Sequence, residues 1–499
     1  MHPLIQPVSC VKSPECLAHE CRGEPGLVLL HSSLRESPHG RYSFVAARPF
    51  LQFRSHGPQC ELVSSRGRQV QFGNPWRILA ARLSRYELLE ERDLPFPLGG
   101  CFGFWGYDLK RFTEPKLNCR AADALELPDC QVGFYDSLVA FDHWLGQTWV
   151  ISTGLREDGS RSTELAQAKA QWWSERLAQS SRDEPGGFEA DWTRPSATGS
   201  APGALETKTS RASPITSNLT RAEFIQRVER ARAYIRAGDL YQVNLSHRLS
   251  SSLGLSSWEL FQRLIGISPA PFSSFLDCGD FQLVSSSPEL FLRMSGSQVR
   301  TRPIKGTRAR SFDPTRDAQL AYELQTSAKE TAELVMITDL LRNDLGRCCE
   351  FGSVQTPDLL QLERFPQVQH LVSTVEGRLR VGISHLDVLA SSFPGGSVTG
   401  APKFRAMEII DELEPDSRGP YTGALGYLGF NGESQLSIII RAAICRAGAI
   451  HFPVGAGIVA DSDPGAEFEE TILKARGLIE ALQLEHRETP ATPAVKPAG

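Results

Sequence analysis

No stretch of this sequence stays apolar long enough to cross a bilayer. Runs such as 436–440 stop at a charge, here Arg441, far short of the roughly 20 residues that a membrane helix needs. The first ten residues have neither a basic start nor an extended apolar segment, so no secretory signal is expected and the cytoplasm is the expected compartment. A basic field is missing too. The net charge is −5 and Lys and Arg are interspersed with acids, which argues against nucleic acid as a partner. The eleven cysteines are scattered and include no C-x-x-C pair, and Cys10, Cys16 and Cys21 have spacings unlike a zinc site. Reduced thiols in a reducing compartment fit that usage. What remains, 41% hydrophobic and 22% charged residues over 499 positions, is the composition of an ordinary globular chain with room for a large α/β body.

A segment rich in Ser, Thr, Gly, Pro and Ala divides the chain, and the expected organisation is an amino-terminal region over 1–180, a linker over 181–218, a catalytic region over 219–485 and a disordered Pro- and Ala-rich tail over 486–499. Before the linker, β-like runs at 26–31, 41–46, 51–53, 131–141 and 148–152 are punctuated by turn residues, and 160–177 reads as a helix. After it, 221–238 reads as an amphipathic helix and 241–249, 281–286, 291–294, 424–428, 437–445 and 449–452 as strands. Two further helices are expected over 322–345, ending at Gly346, and 466–482. Each carries an apolar stripe at three-and-four spacing.

Those two helices carry carboxylate doublets, Glu330 with Glu333 and Glu467 with Glu470, each at i, i+3 on one helix face. Four acids brought together need a cation, and an oxygen-only set selects a hard ion such as Mg2+. Taken singly, each doublet reads first as a solvated face favoured by the helix N-terminus, and only together with the glycine-rich stretches does the cation reading prevail. The glycine-rich stretches PGGSVTGAPK (394–403) and Gly455-Ala456-Gly457 would let backbone N–H groups approach an anion. The first mimics a phosphate loop but has Ala401-Pro402-Lys403 after Gly400, which disfavours a triphosphate and leaves a carboxylate ligand. The second could be a tight turn. Lys305, between Ile304 and Gly306, is either a surface charge or a nucleophile that burial or nearby cations keep neutral. Glu289 either caps a strand end or acts as a general acid.

Six ordered segments carry a resemblance: YQVNLS (241–246), SSPE (286–289), PIKGTR (303–308), DLLRNDLG (339–346), PGGSVTGAPK and GAGIVADSDP (455–464). Together they resemble the chorismate-utilising enzymes, which include the large subunits of anthranilate synthase and aminodeoxychorismate synthase and the isochorismate and salicylate synthases. The resemblance is strong over about 220–485 and weaker before it, through LVLLHSS and GRYSF. It implies an α/β fold of two β-sheets flanked by helices, with both parts of the chain intertwined in one body. It also implies that Glu333 and Glu470 ligate Mg2+ directly, with Glu330 and Glu467 acting through water, and that the ion holds the ring carboxylate of chorismate. Gly455, Ala456 and Gly457 match a backbone clamp on a substrate carboxylate, and Tyr421 and Arg441 match residues that hold the enolpyruvyl carboxylate. Ser397 stands where the anthranilate branch has Thr, and His370 matches a histidine beside the ring.

Within the family, Lys305 resembles the aminodeoxychorismate branch, where the anthranilate branch has alanine. Gln242 replaces the lysine base of the water-adding members and is expected to line the substrate site. Asn244 and the segment SPAPF (268–272) point the same way. The reaction so implied forms 4-amino-4-deoxychorismate, a 4-aminobenzoate precursor in folate biosynthesis, through a covalent Lys305 intermediate with Glu289 as acid. The chain has no G-x-C-x-G amidotransferase motif, so a partner glutamine amidotransferase is expected to supply ammonia. The amino-terminal part resembles the region that holds tryptophan in some relatives, which implies that Ser32, Arg41 and Tyr42 line such a pocket; in isolation the segment reads first as core lining. The rivals are anthranilate synthase component I and a non-catalytic chorismate- or tryptophan-binding scaffold for the amidotransferase.

Overall fold

The computed structural model describes residues 2–9, 12–34, 37, 39–88, 94–118, 120–179, 214–365 and 368–482. Most of the linker expected over 181–218, and the whole tail expected over 486–499, lie outside those residues. At the end of that linker, Thr216–Ser217 is a short strand paired with Gln242–Ser252.

Two sheets, each of twelve strands among the described residues, make up the frame. Their strand pairs are antiparallel throughout, and each sheet draws on both ends of the chain. One runs from Leu4–Val8 through Val28–His31 and Phe272–Asp277 to Ala449–Ile458 and Gln242–Ser252; Val28–His31 pairs with Phe272–Asp277 at the junction. The other runs from Ile304–Ala309 and Val368–Arg378 through Ala424–Gly429 to Gly100–Trp105 and the hairpin Gln59–Ser64 with Gly67–Phe72. Its junction is Ala424–Gly429 against Gly100–Trp105. The amino- and carboxy-terminal parts therefore form one intertwined α/β body.

Alternation along the first sheet explains the layering. Val28, Phe44, Leu138, Leu276, Leu283 and Ile444 point into a core shared with Phe53, Phe102, Phe104 and Tyr427 of the other sheet. Their neighbours Leu29, Val45, Val139, Phe275, Val284 and Ala443 point the opposite way, into a layer with Leu17, Trp173, Phe261 and Leu478 of the covering helices. The strand period of two thus serves two apolar faces. Each fully buried Leu, Val or Phe among them contributes roughly 1.5–3 kcal/mol.

Four elements differ from the sequence reading. The run expected over 131–141 is two strands, Cys130–Tyr135 in one sheet and Ser137–Asp142 in the other, parted at Asp136. The helix expected over 322–345 is two, Pro314–Thr326 and Ala328–Gly346, separated by Ser327. The strand expected over 437–445 is also two, Glu433–Ile438 in one sheet and Ala442–Arg446 in the other. The chain crosses between them at Arg441, whose φ is +49°. Gly455-Ala456-Gly457 forms neither a loop nor a turn. It continues the strand Ala449–Ile458, with Gly455, Ala456 and Gly457 opposite Ser246, Leu245 and Asn244.

Candidate active site

The break at Ser327 has a chemical consequence. Its hydroxyl accepts from Glu330 N and caps Ala328–Gly346, while Asp463 caps Pro464–Ala481 by accepting from Ala466 N, with Pro464 at the first helical position. Each cap contributes about 1 kcal/mol and sets where the helix begins. Both doublets then fall in the first two turns of their helices. The two N-termini adjoin, since Lys329 Nζ lies 3.7 Å from Glu467 Oε1.

Burial raises the Glu333 carboxyl above its ordinary range, against the charges of Lys305 and Lys329 and together with those of Glu330 and Glu470. Burial also raises Glu467, against a 2.6 Å hydrogen bond from Ser462 Oγ. For Glu470 burial acts in the same direction but is overcome, chiefly by Lys474 at 2.8 Å, and the carboxyl is lowered. Arg308 lies 3.6 Å from Glu330. Among the described residues, no three His, Cys, Asp or Glu side chains surround a point that could hold a metal. Yet Glu333 Oε1 and Glu467 Oε2 are buried with no hydrogen-bond partner. An oxygen-only donor set with two orphaned carboxylate oxygens fits a hard divalent cation.

Beside the acids, Ile304–Ala309 brings in Lys305, which is half-buried. Gly306, at φ +66°, lets the strand pass Glu330: a Cβ there would lie 3.1 Å from that carboxylate and 2.6 Å from Leu324 Cδ1. A Cβ at Gly457 would lie 2.4 Å from Gln242 Nε2 and 4.0 Å from Lys305 Nζ. The bare backbone of 455–457 therefore forms a wall beside both side chains. Gln242 Oε1 and Asn244 Oδ1 are buried and unpartnered on the adjoining strand. Glu289 is 7% exposed. Burial raises its carboxyl, against a hydrogen bond with Ser397 and the charges of Lys305 and Lys474.

His370 and Arg441 line a small cavity together with Pro288, Ile304, Phe365 and Phe272. Burial pushes the His370 imidazole down to about 4, with help from Arg441, and Thr307 Oγ1 lies 2.9 Å from its Nδ1. Arg441 has no acid partner among the described residues, so a guanidinium faces the cavity uncompensated. Tyr421 is buried, with its ring 6.0 Å from the Arg418 guanidinium. Lys403, the lysine of the glycine-rich stretch, faces no ligand: it donates to Asp344 Oδ2 at 2.6 Å and Ser392 O at 2.9 Å, tying two motifs together.

Ser32, Arg41 and Tyr42 lie apart from these groups. Tyr42 lines a second small cavity with Leu30, His31, Phe44 and Tyr427, which shares Pro271 and Phe272 with the first. Ser32 and Arg41 do not line it. Ser32 Oγ donates to Leu34 O, and Arg41 pairs with Asp142 at 2.8 Å. Lys474 carries no distinct signal in the sequence, because a lysine four residues after Glu470 is the spacing of an ordinary solvated i, i+4 pair. Its Nζ also donates to Gly455 O at 2.9 Å, which sets a cation beside the glycine wall.

The sequence pattern of the family described as chorismate binding enzyme matches residues 32–480. Aminodeoxychorismate synthase component 1 of Salmonella typhimurium is 37% identical, over 92% of this chain and 93% of its own. Anthranilate synthase component 1 of Thermus thermophilus is 39% identical, over 91% and 92%. The crystal structure of anthranilate synthase component I from Streptococcus pneumoniae superposes with a TM-score of 0.74 at 31% identity, covering 89% of this chain and 93% of that one.

Proposed function

The chain belongs to the chorismate-binding enzymes, and on that premise we propose that it is the aminating subunit that converts chorismate and ammonia to 4-amino-4-deoxychorismate. The observation that carries this reading is the placement of Lys305 Nζ beside the Gly457 wall and within electrostatic reach of Glu289, Glu333 and Glu470. A lysine there offers the nucleophile that distinguishes amination at carbon 4 from amination at carbon 2.

In this reading Glu333 and Glu470 would hold a magnesium ion, with Glu330 and Glu467 acting through water. Bound there, the ion would neutralise the ring carboxylate and orient the ring. Arg441 and Tyr421 hold the enolpyruvyl carboxylate, the backbone at 455–457 holds the other end, and Gln242, Ser397 and His370 line the ring. Neutral Lys305 attacks carbon 2, the diene shifts, and the carbon 4 hydroxyl leaves as water with the proton of Glu289. Ammonia then attacks carbon 4 and gives its excess proton to the Glu289 carboxylate. The diene shifts back, and Lys305 departs as a neutral amine. The sum is chorismate plus ammonia giving aminodeoxychorismate plus water. Burial of Glu289 keeps its proton available nearer neutrality than an ordinary carboxyl would.

Ammonia would come from glutamine through a separate amidotransferase, as the component 1 names of the relatives suggest, and the working compartment would be the cytoplasm. Among the described residues, no helix is long and apolar enough to cross a membrane. Tyr42, with Ser32 and Arg41 close by in sequence, would border a tryptophan site. The identity to the Thermus thermophilus protein favours one second reading, anthranilate synthase component I. Mass spectrometry of the products from chorismate, magnesium and an ammonium salt separates the two. Aminodeoxychorismate is expected, and anthranilate with pyruvate would overturn the assignment.

A further inference from the structure

A charged pair outside the reacting groups ties together the segments that carry them. Arg418 and Glu414 are 5% and 6% exposed. A guanidinium has five N–H donors, and Arg418 uses all of them. Its Nε donates to Glu414 Oε2 at 2.8 Å and its Nη2 to Glu414 Oε1 at 2.6 Å. Nη2 also donates to Asn244 O at 2.8 Å, while Nη1 donates to Val398 O at 2.9 Å and Thr422 Oγ1 at 3.2 Å. Glu414 Oε1 in turn accepts from Ser246 N at 2.8 Å and Ser246 Oγ at 2.9 Å.

The recipients lie on three segments. Asn244 and Ser246 follow Gln242 on one strand, Val398 follows Ser397, and Thr422 follows Tyr421. Thr422 has φ +60°, a conformation costly for a β-branched residue that persists only where its surroundings hold it. Arg418 bonds its hydroxyl, and Ile439 O accepts from its backbone N at 2.8 Å. We propose that Arg418, braced by Glu414, is a positioning residue that fixes Gln242, Ser397 and Tyr421 relative to one another around the substrate. The proposal rests on the reading of those three as chorismate-facing. Lysine, with three donors on a point charge, cannot reach all four recipients of the fork.

The test compares Arg418→Lys and Glu414→Gln with Lys110→Gln. Lys110 forms another buried pair, 2.7 Å from Asp411, over the same Tyr107 ring that Arg418 stacks on, but its pair bonds none of the three segments. Chorismate consumption with magnesium and ammonium is measured well below each variant's unfolding midpoint, so that loss of folded protein does not contribute. Arg418→Lys and Glu414→Gln should raise KM for chorismate and lower kcat/KM about 100-fold, the scale of a small misplacement. Lys110→Gln should lower the midpoint but keep the wild-type KM. If Arg418→Lys does not fold, the isosteric Glu414→Gln carries the comparison. A wild-type KM in the folded Arg418 and Glu414 variants, or an equal KM shift in Lys110→Gln, would overturn the proposal. A wild-type protein that leaves chorismate untouched would instead overturn the reading of the site.

Discussion

Two clusters of buried charge in this fold differ in how fully they are satisfied. Around Glu414 and Arg418 every guanidinium donor has an acceptor and the carboxylate also takes two bonds from Ser246. At the two helix N-termini, Glu333 Oε1 and Glu467 Oε2 are buried with nothing to accept from, and burial raises both carboxyls. A completed network has no capacity left for a ligand and belongs to the framework. An incomplete one holds its charges at a cost that a ligand can repay. The contrast separates residues that hold the site from residues that work in it.

The sharpest way to break this contrast is to neutralise one charge in each cluster. Glu333→Gln or Glu470→Gln should lower turnover at least about 1000-fold, roughly 4 kcal/mol of barrier. For Glu333→Gln the unfolding midpoint should stay or rise, because an unpaired buried charge disappears. Excess EDTA should mimic the loss, and full activity in EDTA would remove the cation from the site. Next in size, Glu289→Gln should lower turnover about 100-fold or more, the range for a positioned proton donor. In the unmodified protein activity should fall as pH rises through the burial-raised pKa of Glu289, and a Glu289→Gln variant that keeps that descending limb would place the acid elsewhere.

On the framework side, Glu414→Gln leaves a buried guanidinium without its counter-charge. It should cost roughly 3–5 kcal/mol in urea unfolding, and an equal loss in Glu333→Gln would erase the distinction. The smallest effect concerns a neutral group in the framework. His247 sits between Ser217 Oγ at 2.9 Å and Thr471 Oγ1 at 2.8 Å, and burial pushes its pKa down from 6.5 to about 4. Over that window the unfolded chain takes up a proton that the folded protein refuses, so stability should fall as pH drops from 6.5 to about 4. His247→Gln should flatten part of that slope in pH-dependent unfolding, and an unchanged slope would contradict the assignment.

The doublets, Lys305, Glu289 and the glycine stretches were legible because i, i+3 spacing and residue type are local properties. Their assembly was not, because it depends on strand pairs such as Gln242–Ser252 with Ala449–Ile458 that lie far apart along the chain. The break at Ser327 was hidden because the apolar stripe of one helix continues into the next. The crossover at Arg441 was hidden because Ile438, Ile439 and Ile440 read as uninterrupted strand, and only the positive φ separates the two sheets. Gly455 to Gly457 looked like a turn because glycine permits one, whereas the ten-residue pairing with Gln242–Ser252 holds it extended. Arg418 and Glu414 carried no local signal, being an ordinary i, i+4 pair until tertiary contacts bury them.

The proposed role of Lys305 is tested most directly by the intact mass of the protein after incubation with chorismate and magnesium while ammonia is withheld. A covalent adduct on Lys305, chorismate less the elements of water, is predicted, with release on adding ammonium and absence in Lys305→Ala. An unmodified mass in a sample that turns over chorismate as soon as ammonium is added would contradict it.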